Sequence, residues 1–309
     1  MYNYDIFSKI CKYLNNKEKI YLTMMCNVTD KFKHKLIYPD NTEYKRISHL
    51  PYYDNFETIT DDNPCITFPK NAKKLIFYSK YSHFYPRTFM DLGMKKETSM
   101  IKIPISVTHI TLCDMLFKYG RLIIPKSVTH LKFCPQCTTA KNYIRQSITH
   151  LTLPMRLDDS IKDCIPGSVT HLKLPRYFNE PIEDLIPSSV IYLKFGDFFN
   201  QSVKDNIPKS VTHLKFGRHF RRSIKNSISD SVTHLKIPYD FDDFGEPLPA
   251  TITHLQIGHG KKYNTLTQIM DGNFASINDF YFDAIKKYIP TTVKVILLIV
   301  PDSDMYNVD

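Results

Sequence analysis

A motif that returns every 20 or 21 residues predicts a solenoid stacked on a parallel β-sheet, and the spacing inside each repeat gives that solenoid its type. The segment Ser127-Val128-Thr129-His130-Leu131-Lys132-Phe133 recurs along the chain. Histidine marks its phase at His109, His130, His150, His171, His213, His234 and His254, and Tyr192 occupies the missing rung. A fixed period of this size over eight consecutive units signals stacked supersecondary units rather than one globule. Within each unit the apolar residues run Val, two residues, Leu, one residue, Leu or Phe, as in Val128, Leu131, Phe133 and Val211, Leu214, Phe216. That is the strand signature of leucine-rich repeats. The fold class is therefore a leucine-rich-repeat-like solenoid: a curved parallel β-sheet with short turns or 3₁₀ helices on its convex side, preceded by a small α-helical N-terminal domain.

Each element of the repeat has a physical reason. Side chains alternate across a strand, so if Leu131 and Phe133 enter the core, His130 and Lys132 face the other way. Ile-Pro stands before the strand at Ile103-Pro104, Ile124-Pro125, Ile165-Pro166, Ile186-Pro187 and Ile207-Pro208. The isoleucine offers a second core column, and proline cannot extend a hydrogen-bonded ladder, so it punctuates the turn into the strand. Gly, Pro or Cys follows the strand, and Phe178, Phe199, Phe220 and Phe241 form an aromatic column along the outer side of the core. Few residues are left for the convex side of a rung, which predicts a 3₁₀ or single-turn helix in segments such as Pro181 to Leu185.

Composition narrows the class of function. The chain has 309 residues, 42% of them hydrophobic, which supports a core without staples. Only 9 glycines argue against Gly-rich phosphate loops. A formal charge of +10 favours acidic partners. The 7 cysteines are odd in number and irregularly placed, which reads as reduced thiols in an intracellular protein. No secretion signal is seen, and the longest apolar run, Val295 to Val300, falls far short of a membrane span, so no membrane partner is expected.

The repeated Ile-Pro-x-Ser-Val-Thr-His-Leu, with the pairs Phe178-Asn179 and Phe199-Asn200, resembles the FNIP repeat of slime moulds and of giant viruses of amoebae. The resemblance covers roughly 103–258 as eight regular repeats, with degenerate units at Phe68-Pro69 to Phe77 and Ile289-Pro290 to Leu297. Asparagine is lost after Phe220 and Phe241, so an Asn ladder of the usual leucine-rich type is not expected. The implied organisation is a helical domain over 1–40, a linker with a degenerate first repeat and an aromatic insertion over 41–102, the regular array, and an insertion, last repeat and C-terminal cap over 259–309.

From Asp5 to Tyr38 the apolar residues recur at helical spacing in two or three short helices, broken at Asn15-Asn16. This stretch is similar to an F-box, the motif that docks ubiquitin-ligase receptors onto a Skp-type adaptor and thence a cullin. The resemblance assigns adaptor contacts to Ile6, Ile10 and Leu14 in the first helix and to Ile20, Leu22 and Cys26 around the second. Its leading Leu-Pro is absent, and no Trp follows Cys26. Together the two resemblances imply a substrate-recognition subunit of a cullin-RING ubiquitin ligase, acting in the host cytoplasm or nucleus and not secreted. The competing reading of the helices is a cap over the first rung of the array.

Chemistry of its own is not expected. Stacked histidines form a row, whereas zinc needs ligands that converge, so neither a metal nor any cofactor is assigned. Crowding of cationic imidazoles should lower their pKa values and bring a mild pH dependence. Cys134-Pro135-Gln136-Cys137 is a lone CxxC with no placed further ligands and no thioredoxin-like context. Every Ser-x-x-His belongs to the repeat, so none is read as catalytic; the recurrent Ser and Thr hydroxyls are expected to bond to backbone.

What remains is a surface. The column next to histidine reads Thr111, Lys132, Thr152, Lys173, Lys194, Lys215, Lys236, Gln256. With the histidines and Tyr192 it makes a basic, imidazole-lined strip, formed by His130, Lys132, His171, Lys173, Tyr192, Lys194, His213, Lys215, His234 and Lys236. Such a strip suits an acidic or phosphorylated target protein. Nucleic acid is the weaker candidate, because Tyr192 is the aromatic residue assigned to that face. The insertions at 76–102, rich in Phe77, Tyr78, Tyr81, Phe84, Tyr85 and Phe89, and at 259–288, with Phe280, Tyr281 and Phe282, are further candidate contact loops.

Overall fold

The computed structural model describes residues 4–61, 67–77, 101–113, 122–135, 137, 140–154, 164–239, 241–258, 265–269 and 284–299. Of the aromatic residues of the two insertions, Phe77 and Tyr288 are among the described residues, and the others lie outside them. The chain forms two compact units, Met1–Thr139 and Ala140–Asp309.

The first unit opens with three short helices, α1 (Tyr4–Cys11), α2 (Asn16–Thr23) and α3 (Asn27–Asp30), the last running into a 3₁₀ turn over Lys31–His34. Asn15 caps the start of α2. Its side chain accepts from the Glu18 backbone N–H while the Glu18 carboxylate accepts from the Asn15 N–H, a reciprocal cap that satisfies two otherwise orphaned donors. Tyr4 and Phe7 of α1 pack on the buried Phe32 at ring distances of 5.1 Å, with Cys11 buried on the same helix.

Strands follow: β1 (Tyr38–Glu43), a helical turn α4 (Tyr44–Ile47), β2 (Phe56–Asp61), β3 (Lys74–Phe77), β4 (Ile101–Lys102), β5 (His109–Leu112), β6 (Leu122–Ile123) and β7 (His130–Phe133). Strands β1, β2, β3, β5 and β7 pair in that order, all parallel, with Leu75, Ile110 and Leu131 in register. β4 and β6 form a separate two-stranded ladder that aligns Ile101 with Leu122, just before the Ile-Pro pairs.

The second unit has a 3₁₀ turn at Ala140–Tyr143 and then β8 (His150–Thr152), β9 (His171–Lys173), β10 (Tyr192–Lys194), β11 (His213–Lys215), β12 (His234–Ile237), β13 (His254–Ile257), β14 (Thr265–Ile269) and β15 (Val295–Ile299). The strands from β8 to β13 and then β15 are parallel neighbours, keeping Leu151, Leu172, Leu193, Leu214, Leu235 and Leu255 in register. β14 falls within the sequence expected to be a contact loop. Its run Thr-Leu-Thr-Gln-Ile is rich in strand formers, and it pairs antiparallel with β15.

Parallel strands leave each rung asking for partners on both sides, and the repeated residues supply them. The valine N–H donates to the proline carbonyl three residues back, at 3.0–3.1 Å in the rungs of Val107, Val128, Val169, Val190 and Val211. Ile148 and Val232 close the same turn on Arg145 and Ser229, so proline favours the turn without being required for it. The serine hydroxyls reach further than their own turn: Ser189, Ser210 and Ser231 donate to the carbonyls of Val169, Val190 and Val211, one rung back, at 2.7–2.8 Å. Each such bond contributes about 1 kcal/mol. Of the Ile-Pro isoleucines, Ile103, Ile124 and Ile186 are buried, and Ile165 and Ile207 are half-buried.

On the convex side, Ile182–Leu185, Val203–Asn206 and Ile224–Ser227 are hydrogen-bonded turns at 3.1, 3.2 and 3.0 Å, not helical turns. Their third residues, Asp184, Asp205 and Asn226, adopt left-handed backbone with φ of 55°, 60° and 55°. That conformation ends any helix, and Asp and Asn tolerate it better than other non-glycine residues. The phenylalanine column is present as expected: Phe178, Phe199 and Phe220 stack at 6.1 Å and Phe220 and Phe241 at 5.8 Å. A short Asn ladder also exists, contrary to the sequence expectation. The Asn179 side chain accepts from the Asn200 N–H at 2.7 Å, and that of Asn200 accepts from the Arg221 N–H at 2.9 Å. Asparagine needs only a backbone donor on the next rung, so one step survives the loss of Asn at position 221.

Candidate partner-binding surfaces

Two surfaces bring together the residues singled out from the sequence. The first lies on the helices. Ile6 and Ile10 project from the outer face of α1 at 60% and 51% exposure, with Tyr13 beyond them at 90%. Leu14, Ile20, Leu22 and Cys26 are half-buried. Helix α2 is turned against its own composition: it buries Asn16, Lys19 and Thr23 and leaves Tyr21 exposed. The buried polar groups are all bonded. The Asn16 side chain donates to the Asp40 carbonyl at 3.1 Å and Lys19 Nζ to the Ile37 carbonyl at 3.0 Å, along the outer edge of β1, while the Thr23 hydroxyl donates to the Ile20 carbonyl at 2.6 Å. Burial of polar groups is tolerated when each has a partner, and here it leaves Ile20 and Leu22 half-buried and Tyr21 exposed. Met24, Met25 and Val28 extend the same exposed apolar surface. Reading α2 from hydrophobic spacing alone misses this reversal; the polar spacing Asn16, Lys19, Thr23 is the signal that finds it.

The second surface is the strip of strand residues. In the first unit His109 and His130 stack at 3.9 Å, with Lys132 exposed beside His130. In the second, His150 and His171 stack at 4.0 Å, and His213, His234 and His254 at 4.1 Å, with Tyr192 between at 5.7 and 6.2 Å from its neighbours. All seven histidines are half-buried while the leucines beside them are buried, which is the strand phase expected. Parallel stacked rings send equivalent nitrogens along parallel lines rather than toward a shared centre, the opposite of what zinc requires.

The preceding threonine orients each ring. In the rungs of His171, His213, His234 and His254 the threonine hydroxyl lies 2.9–3.0 Å from Nδ1 and 3.2–3.5 Å from a carbonyl of the previous rung. That carbonyl already accepts two backbone N–H groups, from the threonine and the histidine. The hydroxyl donates to that carbonyl and lies within hydrogen-bond reach of Nδ1, which ties each ring to the rung before it.

Beside the imidazoles, Lys173, Lys194, Lys215 and Lys236 stand in strict register. Lys173 and Lys194 are exposed, Lys215 and Lys236 half-buried, and Lys215 Nζ sits 5.1 Å above the Tyr192 ring. Desolvation, then Lys194, Lys215 and Arg218, push Lys236 down to about 8. Desolvation and cationic neighbours also lower His171 and His213, and lower His234 to about 4. Because the ordinary imidazole value is 6.5, His234 contributes stability that is full above pH 6.5 and lost as pH falls through about 4. Comparing thermal melts at about pH 7.5 and about pH 4.5, His234→Gln should lose less Tm than the parent protein. An equal loss would mean that this imidazole does not titrate against its neighbours.

A row that the sequence reading missed runs beside the lysines. Tyr177, Phe198 and His219 recur at the repeat period and stack, Phe198 lying 4.8 Å from Tyr177 and 4.7 Å from His219. Their identities differ, so no motif marks them. Only the shared 21-residue spacing does.

The FNIP Repeat family matches residues 159–198 and 199–240, the stretch that carries the stacked phenylalanines and the Asn ladder. FNIP repeats are thus found over residues 159–240. The chain is 34% identical over 84 residues to R638 of Acanthamoeba polyphaga mimivirus, whose name describes a candidate F-box protein. That match spans 26% of this chain and 63% of R638. Among solved structures, the chain is similar to CroV588, described as a novel circular LRR protein, at 25% identity and a TM-score of 0.49. The likeness covers 72% of this chain and 36% of CroV588. The rungs matched by the family model are parallel β-strands in register, and helices precede the first strand in sequence.

Proposed function

We propose that this FNIP-repeat protein is the substrate-recognition subunit of a cullin-RING ubiquitin ligase, with α1 to α3 docking a Skp-type adaptor and the repeats holding an acidic or phosphorylated target. The observation that carries the proposal is the reversed helix α2. Its polar face is bonded along β1, while Ile6, Ile10, Tyr13, Tyr21, Met24, Met25 and Val28 are exposed, where a docking partner would cover them. The likeness to R638 supports the same reading. In this role the chain contributes no catalytic residue. The cullin assembly supplies the transfer chemistry, and the site of action is the cytoplasm of the host cell.

The test is co-purification with the adaptor. Ile10 is 51% exposed, so Ile10→Asp should leave the fold within about 0.5 kcal/mol of the parent. Recovery of adaptor should fall by about tenfold or more, as for loss of a central apolar anchor. Leu14→Asp is the poorer probe, because Leu14 is half-buried. Undiminished recovery with folded Ile10→Asp would reject the adaptor assignment. It would favour the second reading, a helical cap, for which the bonds from Asn16 and Lys19 along β1 speak.

A further inference from the structure

We infer that the second unit binds an extended peptide in which carboxylates alternate with apolar side chains, gripped between the lysine row (Lys194, Lys215, Lys236) and the aromatic row (Tyr177, Phe198, His219). The inference rests on the target-binding reading of the repeats and adds a sequence pattern to the target.

Both rows advance one position per rung. The lysines are paired in register by β10, β11 and β12. The aromatic row is fixed by backbone bonds between rungs, Phe198 N–H to the Arg176 carbonyl at 3.0 Å and His219 N–H to the Asp197 carbonyl at 2.9 Å. Each ring follows the lysine of its own rung by four residues, Lys173 and Tyr177, Lys194 and Phe198, Lys215 and His219, so the two rows advance side by side along the repeats. Tyr177 and Phe198 are 40% and 38% exposed, and His219 is exposed. The Arg176 guanidinium lies 5.5 Å from Tyr177 and 5.8 Å from Phe198, and its Nε is 3.4 Å from the Asp197 carboxylate.

Ring orientation decides the class of ligand. Phe198 is sandwiched, with Tyr177 on one side and His219 on the other. A nucleobase needs an open ring face to stack on, and Phe198 offers only its edge. Edges are apolar and carry the positive side of the ring quadrupole, which suits aliphatic side chains and tolerates a nearby carboxylate. An extended peptide sends successive side chains to opposite sides, with same-side neighbours about 6.7 Å apart, while rungs are about 4.8 Å apart. Laid along the two rows, it directs alternate residues to the lysines and to the ring edges. The charge of +10 on the chain matches an acidic occupant.

Fluorescence anisotropy on the full chain at physiological salt tests this with three labelled probes: a peptide alternating Glu and Leu, one alternating Glu and Ser, and an oligo-dT strand. The Glu-Leu peptide should bind roughly tenfold more tightly than the Glu-Ser peptide. Tyr177→Ser with Phe198→Ser should erase that preference and leave Glu-Ser binding unchanged. Combined Lys194→Ser, Lys215→Ser and Lys236→Ser should weaken both peptides. Equal binding of the two peptides, or a preference that survives in the aromatic double variant, overturns the two-row inference while the lysine strip stands. Both peptides binding the lysine variant at parent affinity overturns the target-binding reading itself. Oligo-dT binding more tightly than Glu-Leu assigns the surface to nucleic acid and overturns the inference. If circular dichroism shows the double variant unfolded, Tyr177→Ser alone takes its place, with the same outcomes.

Discussion

Phe220→Ala is expected to destabilise the second unit by about 4 kcal/mol, the upper range for a buried aromatic truncated in a packed core. Phe220 is fully buried and touches rings on three sides: Phe216 at 4.1 Å, Phe199 at 6.1 Å and Phe241 at 5.8 Å. Those neighbours belong to stacked rungs held by backbone bonds, so they cannot collapse into the space left behind, and the cavity term adds to the lost transfer energy. Chemical denaturation followed by circular dichroism measures it. Phe178→Ala, at a half-buried position of the same column, is the comparison and should cost clearly less. Similar losses at both sites would show that the column is not the core of the array.

The second large effect is expected at Gly217. A β-carbon there would lie 1.9 Å from the Gly196 carbonyl oxygen and 2.7 Å from the Asp197 α-carbon. Both are backbone atoms of the preceding rung, with no side chain to swing aside, so Gly217→Ala can be accommodated only by prising two rungs apart. The expected cost is about 3 kcal/mol, read as a shift in the urea midpoint. Gly196→Ala meets the Pro175 carbonyl oxygen at 1.8 Å and should behave alike. At Gly167 nothing lies within 4 Å, so Gly167→Ala should be neutral or slightly stabilising. A mild effect at Gly217 would mean that the rungs separate more easily than their hydrogen bonds imply.

The fold was legible because periodicity is a property of sequence. Leu131, Leu172, Leu193 and Leu214 recur at fixed spacing, and spacing is enough to set strand phase and parallel register. Gly217 shows the limit. Its column holds Gly, Pro or Cys in different rungs, which reads as tolerance, whereas the demand at Gly196 and Gly217 comes from how closely the following turn hugs the rung before. The Asn ladder was misjudged for a related reason: the acceptor is a side chain but the donor is backbone, which no residue identity announces. For the candidate surfaces, the lysine and histidine rows could be read directly because identical residues repeat. The aromatic row could not, because Tyr, Phe and His fill one position, and neither could the reversed α2, where the buried face is the polar one.

Strand β14 bears on assembly. A repeat array is a polymer whose monomers happen to share one chain, and its last parallel strand presents a template on which the first strand of another copy would fit. In the repeats the serine hydroxyls donate backward to the preceding rung, so a parallel strand arriving after β15 would find carbonyls waiting for it. β14 occupies that position in the reverse direction, pairing Thr265 with Ile299 through to Ile269 with Val295. A reversed strand on β15 covers the edge on which a next parallel rung would be built, so a second copy could not add a rung to β15 in the register of the repeats.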